Sequence, residues 1–116
     1  MAKKILIVDD DPVVLKYLTT LFVDNGYETC QASDSTRAFE MLKSERPDLV
    51  TLDLQMPGEW GPRFYRKLMK EEELKDTPVI IISGIAGQHA VKKAVAYLPK
   101  PFDPDKLLGI VRKTIG

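Results

Sequence analysis

The stretch Ile5-Leu6-Ile7-Val8-Asp9-Asp10-Asp11-Pro12 lays out the fold in a few residues. Its apolar part is mostly β-branched and shows no in–out alternation. That is the pattern of a strand covered on both faces, as in a parallel sheet. The run ends on three aspartates, which a doubly covered strand cannot accommodate, so the strand stops there. Asp11-Pro12 then supplies a helix N-cap and a first-turn proline, whose missing N–H costs nothing at that position. Downstream, Val14, Leu15, Leu18, Leu21 and Phe22 recur at the spacing of one helix face, and Gly26 provides the stop. Strand, acidic turn and helix make the first unit of an alternating fold.

Working outward, the same strand pattern returns in Leu49-Val50-Thr51-Leu52 and Val79-Ile80-Ile81-Ile82. Weaker strands are read at Tyr27 to Gln31 and Val95 to Leu98. Ser33 or Asp34 can cap a helix containing Ala38, Phe39 and Leu42 that ends before Pro47. Gly61-Pro62 opens another with Phe64 and Leu68 inward, closed by Thr77-Pro78. Asp103-Pro104 repeats the capping signal before Leu107, Leu108, Val111 and Ile115, and only Gly87 to Val95 remains for a helix between the last two strands. Five strands alternating with five helices predict an α/β domain of three layers, a doubly wound parallel sheet. Ligands of such sheets bind outside the carboxyl ends of the strands, where strand order reverses.

Composition bounds the function. The 116 residues suit one domain, and 17 basic against 17 acidic side chains give a formal net charge of zero. A neutral chain lacks the basic surplus needed to bind nucleic acid through bulk charge. A single cysteine, Cys30, excludes an internal disulfide and a cysteine-based structural zinc site. No apolar run approaches the ~18 residues of a membrane span. Lys3-Lys4 and the four apolar residues that follow are too short for a signal peptide, so the expected compartment is the cytoplasm.

The chemistry is expected at the strand carboxyl ends. Asp9, Asp10 and Asp11 follow the first strand, and Asp53 with Leu54-Gln55-Met56-Pro57-Gly58 follows the third. Ser83-Gly84 ends the fourth, and Lys100-Pro101-Phe102 follows the fifth. Carboxylates gathered on one edge repel, and a divalent cation relieves the repulsion. Oxygen ligands without histidine or cysteine select a hard ion, Mg²⁺ or alternatively Mn²⁺. An ionised aspartate can attack phosphorus and form an aspartyl phosphate, while an ammonium and a hydroxyl hold the other phosphoryl oxygens. The edge therefore reads as a phosphoryl acceptor.

On these motifs, four in order at compatible spacing, the chain resembles the receiver domain of bacterial two-component response regulators, chemotaxis regulators included. The resemblance covers essentially the whole length and implies a flavodoxin-like strand order of 2-1-3-4-5. It implies Asp53 as phosphoacceptor, and Mg²⁺ held by the carboxylates of Asp10 and Asp53, the Gln55 backbone carbonyl, and Asp9 through a water. Ser83 would hydrogen-bond a phosphoryl oxygen and shift on activation, and Lys100, joined to Pro101 by a bond commonly cis in the family, would pair with the phosphoryl group. Tyr97 stands at the place of the switch aromatic, although a half-buried strand tyrosine would look the same. The implied donor is a phosphohistidine on a sensor histidine kinase or histidine phosphotransfer protein. The readout would be a downstream protein, with neither nucleic acid nor membrane bound directly. Loss of the phosphoryl group by Mg²⁺-assisted self-hydrolysis would make this a switch rather than a turnover enzyme. Residues 1–116 are expected to be the receiver alone, without an output domain.

One feature departs from the family. Ser83 and Lys100 are 17 residues apart, short by about one helical turn, so the fourth helix is expected to be stunted. Two other classes fit less well. Aspartate-nucleophile phosphohydrolases resemble Asp-x-Asp followed by threonine, absent from Asp9-Asp10-Asp11-Pro12, and a flavin or nucleotide site would need a Gly- or Ser/Thr-rich loop there. A non-phosphorylated scaffold of the same fold usually lacks the acceptor aspartate or the lysine, and both are present. Asp11 is assigned to capping, Cys30 to packing, His89 to the surface, and Trp60 to the loop after Asp53.

Overall fold

The computed structural model describes residues 2–54, 61–71, 75–84 and 94–116. Its elements run in chain order β1 (Lys4–Val8), α1 (Pro12–Asp24), β2 (Glu28–Ala32), α2 (Ser35–Glu45), β3 (Leu49–Leu52), α3 (Gly61–Lys70), β4 (Val79–Ser83), β5 (Ala96–Pro99) and α4 (Pro104–Ile115). All five strands are parallel, in the order β2-β1-β3-β4-β5. The shortened helix expected over 87–95 falls outside the described residues except for Ala94 and Val95, which are irregular and lead into β5.

The unbroken apolar runs have a direct explanation. Successive side chains point to opposite faces, and both faces of this sheet are covered. Leu6, Val8, Val50, Leu52 and Ile81 pack with Ala38 and Leu42 of α2. Ile5, Ile7, Leu49, Ile80 and Ile82 pack with Leu15, Leu18 and Phe22 of α1 and with Leu107, Leu108 and Val111 of α4. Cys30 lies partly buried against the α2 side, as expected of a small apolar group. Burial, aided by the charge of Glu45, pushes its thiol up to about 11.

Helix starts follow their capping residues. The Asp11 carboxylate accepts from the Val13 N–H, Asp34 from Arg37, and Asp103 from Asp105. Asp34, rather than Ser33, caps α2, so Ser35 becomes its first helical residue. Gly26, just past α1, has φ +90, a conformation that side chains disfavour. Among the described residues, no helix is long and apolar enough to cross a membrane.

Candidate functional site

Register alone assembles the site. Val8 of β1 pairs with Leu52 of β3, so Asp9 and Asp53 leave the sheet as neighbours. The Asp9 N–H donates to the Ala32 carbonyl at 3.1 Å, and the Asp53 N–H to that of Val8 at 3.0 Å. Helices α1 and α2 diverge to opposite faces between these strands, so this is the point where strand order reverses. On the other flank Ser83 pairs with Pro99, and the next residue, Lys100, donates its N–H to the Ser83 carbonyl at 3.1 Å. Four segments distant in sequence converge on one edge.

The side chains then meet. Asp9 and Asp53 are only 2% and 5% exposed, and Ser83 1%, whereas Asp10 is exposed. Asp9, Asp10 and Asp53 each present a carboxylate oxygen within 4.8 Å of the others. The Lys100 ammonium lies 2.7 Å from Asp9 Oδ2 and 3.6 Å from Asp53 Oδ2. Its peptide bond to Pro101 is cis. Asp9 Oδ1 also accepts the Asp11 N–H at 2.9 Å, so the residue that caps α1 also braces Asp9. Sequence reading had given Asp11 the cap alone; the Asp-x-Asp spacing was the signal for this second contact.

Electrostatics follow from burial. Desolvation raises the Asp9 carboxyl above the ordinary aspartate range. The hydrogen bond from Lys100, the Asp11 N–H and the Lys100 charge oppose that rise, and the Asp53 charge adds to it. For Lys100, burial works to lower the ammonium, but the hydrogen bond and charge of Asp9, followed by Asp53, outweigh it and hold the group above its ordinary value. Lys100 therefore stays a cation between two carboxylates.

Among the described residues, the Lys100 ammonium meets two of three clustered carboxylates, leaving an excess of negative charge that a hard cation would balance; the donor set, all oxygen, suits Mg²⁺. Gln55 lies outside the described residues, as do Met56, Trp60 and His89. Tyr97 pairs in register with Ile81 on β5 and packs, half-buried, against the α2-side core. β4 thus lies between its strand and β3, which leads into Asp53.

Comparison with known proteins agrees with this architecture. The sequence model of the response regulator receiver domain matches residues 5–112. Protein Rrf1 of Nitratidesulfovibrio vulgaris is 39% identical over 117 residues, covering 100% of this chain and 85% of its own. Sporulation initiation phosphotransferase F of Bacillus subtilis is 33% identical over 118 residues, covering 97% of this chain and 94% of its own. Among solved structures, the signal receiver domain of a signal transduction histidine kinase from Syntrophus aciditrophicus matches with a TM-score of 0.88 at 28% identity, over 98% of this chain and 90% of that one.

Proposed function

This chain belongs to the response regulator receiver domain family, and on that premise we propose that Asp53 is the residue through which it acts as a phosphoacceptor. Receivers are signalling modules rather than turnover enzymes, so the relevant chemistry is one transfer and its reversal by water. An Asp53 carboxylate oxygen attacks phosphorus of a phosphohistidine. The P–N bond breaks, the P–O bond forms, and the departing imidazole takes up a proton. Hydrolysis of the resulting acyl phosphate returns Asp53 to a carboxylate. The observation that carries this reading is the convergence of Asp53 with Asp9, Asp10 and Lys100 at the strand-order reversal.

Mg²⁺ would be held by the carboxylates of Asp10 and Asp53 and the Gln55 carbonyl, with Asp9 reached through a water. When bound, it neutralises charge on the transferring phosphoryl group. Lys100 already stands within reach of both buried carboxylates, so it can follow the new negative charge onto a phosphoryl oxygen. The Ser83 hydroxyl, on the paired strand end, would take another oxygen and carry the change to Tyr97. A sensor histidine kinase or histidine phosphotransfer protein is the proposed donor. Two relatives support this: one is named a sporulation initiation phosphotransferase, the other is the receiver of a histidine kinase. Exposed Val13 and Tyr17 of α1 lie beside the site, with the Tyr17 ring 6.0 Å from that of Phe102. They give such a protein an apolar footing.

Incubation with acetyl phosphate and Mg²⁺ tests the proposal. Wild type is expected to gain a base-labile acyl phosphate that chelator prevents, and Asp53→Asn to gain none. Equal labelling of the two proteins would show that Asp53 is not the acceptor.

A further inference from the structure

Helix α3 carries four basic residues, Arg63, Arg66, Lys67 and Lys70, and no acidic one. They stand at i, i+3, i+4 and i+7, so they share one stripe about 10 Å long and roughly 100° wide. All four are exposed. The helix is attached through its other side, where Met69 packs on the α2-side core and α2 lies alongside.

Nothing within the helix answers this charge. Arg63 repels Arg66 and Lys67, and both repel Lys70, since residues three and four apart are neighbours on a helix surface. Arg63 also stands near the positive end of the helix dipole, where a cation is disfavoured. The other helices are arranged differently. α2 alternates Arg37, Glu40 and Lys43 along its exposed side. α4 places Asp105 in its first turn and Arg112 and Lys113 in its last, as its dipole favours. Lys67 is engaged within the chain, but Arg63, Arg66 and Lys70 form no ion pair with any described residue. A row that breaks the local charge rules without compensation inside the fold is expected where a partner supplies it.

Size and surroundings select the kind of anion. The planar fork of arginine matches a carboxylate or a phosphate equally. A nucleic-acid backbone or a bilayer, however, extends far beyond a stripe of these dimensions and gains from every further cation around it. Here the surroundings cancel that gain: α2 exposes Glu40, Glu71 follows the last turn of α3, and the whole chain has a formal charge of zero. A single helix is about as wide as the stripe, and carboxylates at the same spacing along it would cover this row alone. We propose that α3 docks an acidic helical segment of a partner protein, its carboxylates paired with Arg63, Arg66 and Lys70. α3 lies on the α2 side of the sheet, whereas exposed Val13 and Tyr17 belong to α1 on the other side, so this contact leaves the surface offered to the phosphoryl donor free. The inference goes beyond the phosphoacceptor reading and does not depend on it.

The test is a ¹⁵N chemical-shift titration of the full chain with an alanine-rich peptide, held helical by a hydrocarbon staple, that carries glutamates at i, i+3, i+4 and i+7. Saturable shifts are expected at the amides of α3, with an affinity that falls as NaCl is raised. The same peptide with glutamine at those positions should produce none. The dissociation constant is expected to rise about threefold in Arg66→Gln and about threefold again when Arg63→Gln is added, the scale of exposed ion pairs. It should stay unchanged in Lys106→Gln, which removes an exposed cation of α4. Arg66→Gln relieves repulsion and keeps helix propensity, so it is expected to melt no lower than wild type. A clearly lower melting temperature would make the arginine structural and overturn the proposal. Asp53→Asn should bind the peptide as wild type does while failing to label with acetyl phosphate, so the two readings separate. Absent or unsaturable shifts, equal response to the glutamine peptide, or unchanged affinity in Arg66→Gln would each overturn it. So would tighter binding of a DNA duplex or of phosphatidylserine vesicles at the same amides.

Discussion

At the scale of the residue, Thr51 is the least comfortable group in the sheet. It stands in β3, covered on both faces, at 1% exposure, and its hydroxyl is buried with no hydrogen-bond partner. Alternation along β3 turns it toward the α1 and α4 side, where Leu49 also points. A buried hydroxyl without a partner carries its desolvation cost uncompensated, about 1–3 kcal/mol. Valine has nearly the same shape, keeps the β-branched preference for strands, and removes that cost. Thr51→Val is expected to stabilise the protein by about 1 kcal/mol, about 4 °C in melting temperature for a domain of this size. Calorimetry or a urea titration checks it, and destabilisation of similar size would mean that the hydroxyl has a use on this face. The sequence showed Thr51 only as one member of an apolar run; that its oxygen meets nothing depends on what α1 and α4 place over it.

Elements were legible where the deciding interaction is local. Asp11-Pro12 and Asp103-Pro104 announced α1 and α4 because a cap involves only residues two or three apart. The runs at Leu49 and Val79 announced β3 and β4 because burial on both faces removes alternation. The other strand ends moved by a residue: β2 is Glu28–Ala32 and β5 is Ala96–Pro99, since ladder ends are set by the neighbouring strand rather than by propensity. The end of α2 was harder to read. Pro47 marked the stop, but the chain turns through Arg46 in the left-handed conformation, φ 49 and ψ 58, where glycine is favoured. An L side chain pays about 1 kcal/mol there. Arg46 is exposed, so Arg46→Gly is expected to raise stability by about 0.5 kcal/mol after the greater freedom of glycine in the unfolded chain is counted. Chemical denaturation of the pair would read this directly; a clear loss of stability would show that contacts of the arginine side chain outweigh the backbone relief.

At the scale of the whole molecule, a formal charge of zero conceals segregation. The residue types at the strand ends were enough to place Asp9, Asp53, Ser83 and Lys100 on one edge, because parallel topology gathers carboxyl ends regardless of side-chain detail. They could not tell that Lys100 lies closer to Asp9 than to Asp53, or that Asp10 also borders a cleft at the start of α2, since both depend on side-chain reach across strands. The arrangement is expected to make stability depend on divalent cation. A metal that binds only the folded cluster stabilises it by about 2.7 kcal/mol at a hundredfold excess over its dissociation constant, roughly 10 °C here. Wild type is expected to melt higher in MgCl₂ than in NaCl of equal ionic strength, with MnCl₂ acting likewise. Asp10 is exposed, so Asp10→Asn removes a proposed ligand without opening the core and relieves repulsion with Asp9 and Asp53. In NaCl this variant is expected to melt at or above the wild-type temperature, and in MgCl₂ to gain little. A Mg²⁺ shift retained by Asp10→Asn would move the metal away from this cluster, and no shift in wild type would mean that Lys100 alone balances the buried carboxylates.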